Sequence, residues 1–223
     1  MNIPRFSRNI RDYVCRWQSP AFNKDSLLLL VSLLSGLGGC ASQPANITDT
    51  CELLNEEIRW YDYARHTSNK WNVDIGTQLA FMRQESAFNE DAQPPRTTIL
   101  WIIPWKRPTS AYGFAQAVDG TWEWYQEDTG NTDAERDDFA DASDFIGWYI
   151  NKSSMKLGIA RNDVVSQYLA YHEGHGGFES KSYQQKKGLM STAQKVAKNA
   201  DKYNRLLAQC ESDLQHQAWW WLY

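Results

Sequence analysis

The chain has 223 residues, 42% of them hydrophobic and 13% aromatic, with 27 acidic against 23 basic side chains. This length supports one good core, and this hydrophobic share excludes global disorder. A net charge of −4 argues against a nucleic-acid partner. The 11 tryptophans and 11 tyrosines suit either a bulky core or a surface that stacks on sugar rings.

In chain order, the first element is a leader. Residues 1–24 carry Arg5, Arg8, Arg11, Arg16 and Lys24 against Asp12, and "SLLLLVSLLSGLGGC" follows from Ser26 to Cys40. A basic start, an apolar run and a small-residue site form the order of a secretory signal. The run is shorter than the roughly 20 residues of a stable membrane span. Its end, "LGGC" (Leu37 to Cys40), resembles the lipobox of bacterial lipoproteins. That resemblance implies cleavage before Cys40 and lipid on its thiol; a plain signal with a chance cysteine is the alternative. The expected organisation is a lipoprotein signal peptide over 1–39, a lipidated tether over 40–49, a folded domain over 50–215 and an aromatic tail over 216–223. The stretch "ASQPANITD" (41–49) is polar and Pro-containing, as a tether should be. Acyl chains on Cys40 would hold the protein on a lipid bilayer. In the lipoproteins that this leader resembles, an Asp directly after the lipidated Cys marks retention in the inner membrane; residues 41–43 include none, so the resemblance implies the outer membrane, facing the periplasm.

Helical periodicity dominates from Thr50, with candidate helices at about 51–68, 74–87, 116–127, 141–156, 162–172 and 191–214. Period-2 runs with hairpin signals are missing, so the expected fold class is all-α. Asp74 can cap the second helix, and Asn162 or Asp163 the fifth. Gly174, Gly176 and Gly177 are expected to stop the fifth. Cys51 and Cys210 lie on apolar stripes of the first and last helices. In an oxidising compartment they can form a disulfide that ties those helices together, or stay as two buried thiols. Two segments break the pattern. "QPPRTTILWIIPWKRP" (93–108) has four prolines and reads as a long apolar loop, either folded on its own domain or touching substrate or membrane. "QAWWWLY" (217–223) suits a bilayer interface or a cover for the core.

Glu85 stands near the end of the second helix, one turn after Phe81 and Met82. A helix C-terminus disfavours a carboxylate, and an apolar wall raises a carboxyl pKa. Both effects favour a proton held at neutral pH, as a general acid requires. Around it, "RQESAFN" (83–89), "SAYGFAQ" (110–116) and "LAYHEGHGGF" (169–178) occur in order. These resemble the Glu-Ser, Gly-Leu-Met-Gln and Ala-Tyr-Asn-x-Gly motifs of the lytic transglycosylases with a goose-lysozyme-like domain. The resemblance covers about residues 70–178. "DASDFIGWYINKSSMKLG" (141–158) stands where that family has a helix closing the far side of its groove. The spacing from Glu85 to Gly113 is longer than the family's, "GFAQ" replaces a bulkier pair, and His172 stands where Asn is usual, with Glu173 beside it.

The resemblance implies a lysozyme-like helical fold that cleaves peptidoglycan without a cofactor, using Glu85 as sole acid and base. It implies that Ser86 positions Glu85, while Tyr112, Gln116, Tyr171 and His172 line the substrate site. The product would be a 1,6-anhydromuramoyl end, formed without water. A hydrolase is the nearest alternative; it would need a second carboxylate, with Asp119, Glu123 and Glu173 as candidates. A non-catalytic peptidoglycan-binding lipoprotein is the other, and an envelope protein machine is a conceivable partner for either. "HEGH" (172–175) lacks the spacing of a zinc-protease helix, so no metal is expected and both histidines read as solvated.

Overall fold

The computed structural model describes residues 43–99, 103–104 and 106–220. The expected lipid-bearing Cys40 and the leader lie outside these residues, as do 221–223 of the tail.

The described residues form helices α1 (Thr50–Glu56), α2 (Ile58–Trp71), α3 (Ile75–Glu85), α4 (Asp119–Thr129), α5 (Phe139–Leu157), α6 (Val164–Glu179) and α7 (Leu189–Trp220). A short 3-10 turn, Ser182–Gln185, precedes α7. The only ladder among them pairs Thr98–Ile99 with Ile103–Pro104, antiparallel. The all-α expectation holds.

The boundaries follow local chemistry. Asp49 caps α1 by accepting from the amides of Cys51 and Glu52 at 2.9 and 3.1 Å. The first expected helix is two: Glu57, at φ −117° and ψ 66°, breaks α1 from α2. Asn72 ends α2 in the left-handed region at φ 55°. Asp74 precedes α3 but caps it through its carbonyl, which accepts from Thr77 and Gln78, and not through its side chain. Asp163 caps α6 by accepting from Ser166 N at 3.1 Å. Gly174 does interrupt this helix, at φ 72° and ψ 163°, yet a further turn continues to Glu179 beyond the kink. The last helix extends through 217–220, so that part of the expected separate tail is helical.

The segment expected as a free tether is partly docked. Pro44 is buried, Gln43 donates to Ala87 O at 2.6 Å and Ala45 N donates to Glu56 at 3.0 Å.

The helix α3 forms the centre of the packing. Every residue from Ile75 to Met82 is buried. On one side it meets α7 with no spacing: a Cβ on Gly76 would lie 2.3 Å from Asn204 Oδ1, which instead accepts Gly76 N–H at 2.8 Å. On the other side Gln78 is fully buried and satisfied. Its amide nitrogen donates to the carbonyls of Ala64 and Val73, and its oxygen accepts from Ser143 Oγ at 2.6 Å. This network binds α2, α3 and α5 in one register, because a misplaced buried amide would lose partners it cannot replace with water. A second node is Asp144 of α5, which accepts from Lys70, Trp71 and Tyr125. The Cys51–Cys210 disulfide ties α1 to α7, which settles the two alternatives for those cysteines. Closing so long a loop restricts the unfolded chain and stabilises the fold by about 2–5 kcal/mol.

Candidate active site

Glu85 is the last residue of α3, and the chain reverses directly after it. Ala87 and Phe88 both take left-handed conformations, at φ 51° and 63°. Two consecutive non-glycine residues there are strained and persist only when the surroundings hold them. Here Phe88 is buried and stacks on Trp60 at 5.7 Å, and Trp60 stacks on Phe139 at 4.2 Å. The core therefore fixes where Glu85 stops.

The second motif is a tight turn against the start of α5. Gly113 has φ 76°, and a Cβ there would sit 2.0 Å from Arg136 O, so only glycine fits. Gln116 is also left-handed, at φ 49°; its side-chain nitrogen donates to Ala92 O and Gly113 O at 2.8 and 2.9 Å. The hydroxyl of Tyr112 bridges Asp91 and Asp137, both at 3.2 Å. Burial and the two carboxylates push this phenol up to about 12. Arg136 braces the turn through Ser110 O, Ala117 O and an ion pair with Asp119.

The third motif comes from α6. Tyr171 donates to Ala115 O at 2.6 Å, joining α6 to the Gly113 turn, and its ring packs edge-on against Phe81, 5.2 Å away. Burial, with Glu85 nearby, pushes its phenol well up. Tyr168, one turn earlier, donates to Glu85 Oε1 at 2.8 Å. The three motifs therefore meet at the C-terminal end of α3.

Burial raises the pKa of Glu85; the Tyr168 hydrogen bond and the charge of His172 oppose that rise only in part. Among the described residues no lysine or arginine pairs with it, and no second carboxylate is among the groups that shift it. The result is a carboxyl that holds its proton more tightly than usual.

The hydroxyl of Ser86 donates to Met82 O at 3.1 Å, closing the last turn of α3, while Tyr168 makes the hydrogen bond to Glu85. The sequence carried a signal for Tyr168, since it lies three residues before Tyr171 on the same helical face. Of the two histidines expected to be solvated, His172 is 40% exposed at its side chain, but His175 is buried at 6%. His175 lies 3.0 Å from Ser153 Oγ and packs on Tyr149, and burial lowers its pKa. The kink at Gly174 turns it inward.

Of the carboxylates weighed for a water-activating role, Asp119 is paired with Arg136 and Glu123 is exposed on α4. Glu173 is 3% exposed and held by Lys186, Ser182 and His172. Two surface cavities, of about 220 and 300 Å³, lie elsewhere; Phe178, at the end of the third motif, lines the larger, but Glu85, Ser86, Tyr112, Gln116, Tyr171 and His172 line neither.

A helical fold with one shielded carboxyl at a helix end, faced by two tyrosines from a later helix, is that of a lysozyme-like domain. The model of the family described as "Transglycosylase SLT domain" matches residues 27–210, and the chain belongs to that family. It is a peptidoglycan lytic transglycosylase, and its substrate places it in the cell envelope. No curated protein and no solved structure matches it. Among the described residues no helix is long and apolar enough to cross a membrane.

Proposed function

We propose that this lytic transglycosylase cleaves the β-1,4 bond between N-acetylmuramate and N-acetylglucosamine, with Glu85 as its only acid and base. The observation that carries this reading is the setting of Glu85: a shielded carboxyl with a raised pKa, hydrogen-bonded by a neutral tyrosine and lacking a carboxylate partner. The protonated Glu85 gives its proton to the glycosidic oxygen as the bond from C1 of N-acetylmuramate breaks. The 2-acetamido group of the same sugar stabilises the cationic centre. Glu85, now a carboxylate, takes the proton from the sugar 6-hydroxyl, and that oxygen bonds to C1. The proton count closes, no water enters, and the product carries a 1,6-anhydro ring. Tyr168 supports the carboxylate stage by donating to Oε1. Tyr112, Gln116 and Tyr171 shape the Gly113 turn that faces the acid, and Ser86 ends the helix that carries it. The glycan lies along this turn and α6, against Gln116, Tyr171 and His172.

Mass spectrometry of digested sacculi tests the reaction. Anhydromuramoyl ends are expected from wild type and none from Glu85→Gln. Reducing ends in place of anhydro ends would make the protein a hydrolase, and equal inactivity of the two would make it a glycan-binding protein.

The leader extends this reading. The family match begins at residue 27, inside the apolar run, and so includes "LGGC". Cleavage before Cys40 and acylation there would hold the domain by a short polar segment at the outer membrane, facing the periplasm. Metabolic labelling with palmitate tests it: label is expected on wild type and absent from Cys40→Ala.

A further inference from the structure

We propose that Glu173 is a positioning residue that fixes the imidazole of His172 beside Glu85, so that Nε2 is presented to the N-acetylated glycan in one direction. This rests on Glu85 being the acid, as argued above.

The cluster is built, not incidental. The Glu173 side chain is 3% exposed, and three donors converge on it. Lys186 Nζ reaches Oε1 at 2.6 Å, His172 Nδ1 reaches the same oxygen at 2.9 Å, and Ser182 Oγ donates to Oε2. Room for this comes from Gly177, where a Cβ would lie 2.9 Å from Glu173 Cβ and 3.0 Å from Ser182 Oγ. Burial pushes the carboxyl up, but the hydrogen bonds from Lys186, Ser182 and His172 outweigh it and hold the pKa at about 2. Glu173 is therefore ionised wherever the enzyme works.

An ionised carboxylate only accepts hydrogen bonds. His172 Nδ1 must then carry a hydrogen, and Nε2 is the ring nitrogen that points to a ligand. The ring is 40% exposed, lies 6.4 Å from that of Tyr168, and acts on Glu85 through its charge. The groups around it are Glu173, with Lys186 behind it, and Tyr168 with Glu85. An Asn side chain offers both a donor and an acceptor and needs no such support. A held imidazole offers one ring nitrogen in one direction, which suits an acetamido group or a sugar hydroxyl. His172 and Glu173 thus work as a pair.

The test is steady-state cleavage of a defined N-acetylmuramate–N-acetylglucosamine oligomer by wild type, Glu85→Gln, Glu173→Ala, His172→Asn and the double variant His172→Asn/Glu173→Ala. The expectation for Glu173→Ala is a loss of about tenfold in kcat/KM, mostly in KM, the size seen when the partner orienting a functional imidazole is removed. The double variant recovers most of that loss, because the asparagine no longer needs the carboxylate. Wild-type kinetics for Glu173→Ala overturn the inference. So does a loss that His172→Asn fails to repair, since Glu173 is then a structural residue only. Glu85→Gln separates the two claims: if it is inactive while Glu173→Ala is unaffected, only the positioning role falls. If it stays active, the acid assignment itself falls.

Discussion

The end of α3 and the kink of α6 each hold a shielded glutamate, and they treat it in opposite ways. Glu85 receives one hydrogen bond from a neutral tyrosine, and burial raises its pKa. Glu173 receives a lysine, a hydroxyl and an imidazole, and is held at about 2. Burial disfavours the charged form at both. What separates them is the number and charge of the donors, so the contrast is between a carboxyl that favours its proton and a carboxylate that holds neighbours in place.

The strongest way to break this contrast is Glu85→Gln. Turnover of peptidoglycan is expected to fall about 10³-fold or more, as for loss of a general acid that also serves as base. Retained turnover would mean that another group donates the proton. Next is Tyr168→Phe, which removes the donor that favours the carboxylate of Glu85. The pKa of Glu85 then rises further, and the alkaline limb of the pH–rate profile moves upward, with about a tenfold loss in kcat. An unmoved limb would separate Tyr168 from the proton step.

Stability should show opposite signs at the two glutamates. The folded pKa of Glu85 is raised, so its contribution is present below the unfolded value near 4.5 and is lost as pH rises through the folded value. At pH 8 Glu85→Gln should therefore melt about 2–4 °C above wild type, and the gap should close by pH 4. Glu173 is the reverse: its contribution is present above pH 4.5 and is lost as pH falls toward about 2. Glu173→Gln should melt below wild type at neutral pH, with the difference shrinking across that acid window. Melting curves of both variants across pH check the pair, and a shared sign would collapse the contrast. The smallest effect is expected from Lys186→Ala. Its side chain is 53% exposed, so solvent screens the pair and the melting temperature should change by no more than about 1–2 °C.

The sequence made the helices legible because their apolar spacing is regular and their caps are short polar residues at expected positions. It made Glu85 legible through its motif, and the Cys51–Cys210 pairing through two apolar stripes. It was silent where three-dimensional contact overrides local pattern. Ser86 carries the motif's hydroxyl, yet that hydroxyl finds Met82 O within its own turn. The helical spacing puts Tyr168 on the face of Tyr171, yet it does not say which of the two donates to Glu85. His175 follows a glycine in a polar run and still turns inward, because Gly174 takes a backbone angle that changes the direction of the helix. The "ASQPANITD" stretch has the composition of a free linker, but its side chains find partners on α1 and after α3. Composition does not encode such partners.

The bond between Cys51 and Cys210 spans 159 positions of sequence. Glu85, the Gly113 turn and the α6 tyrosines all lie inside that interval, so the parts of the proposed site belong to a single closed ring of covalent bonds. A protease that cuts once between Glu85 and Tyr168 would open the ring without releasing a fragment. The nicked molecule would migrate as one species until a reductant was added and as two afterwards, and until then it would keep its acid and its tyrosines on one framework.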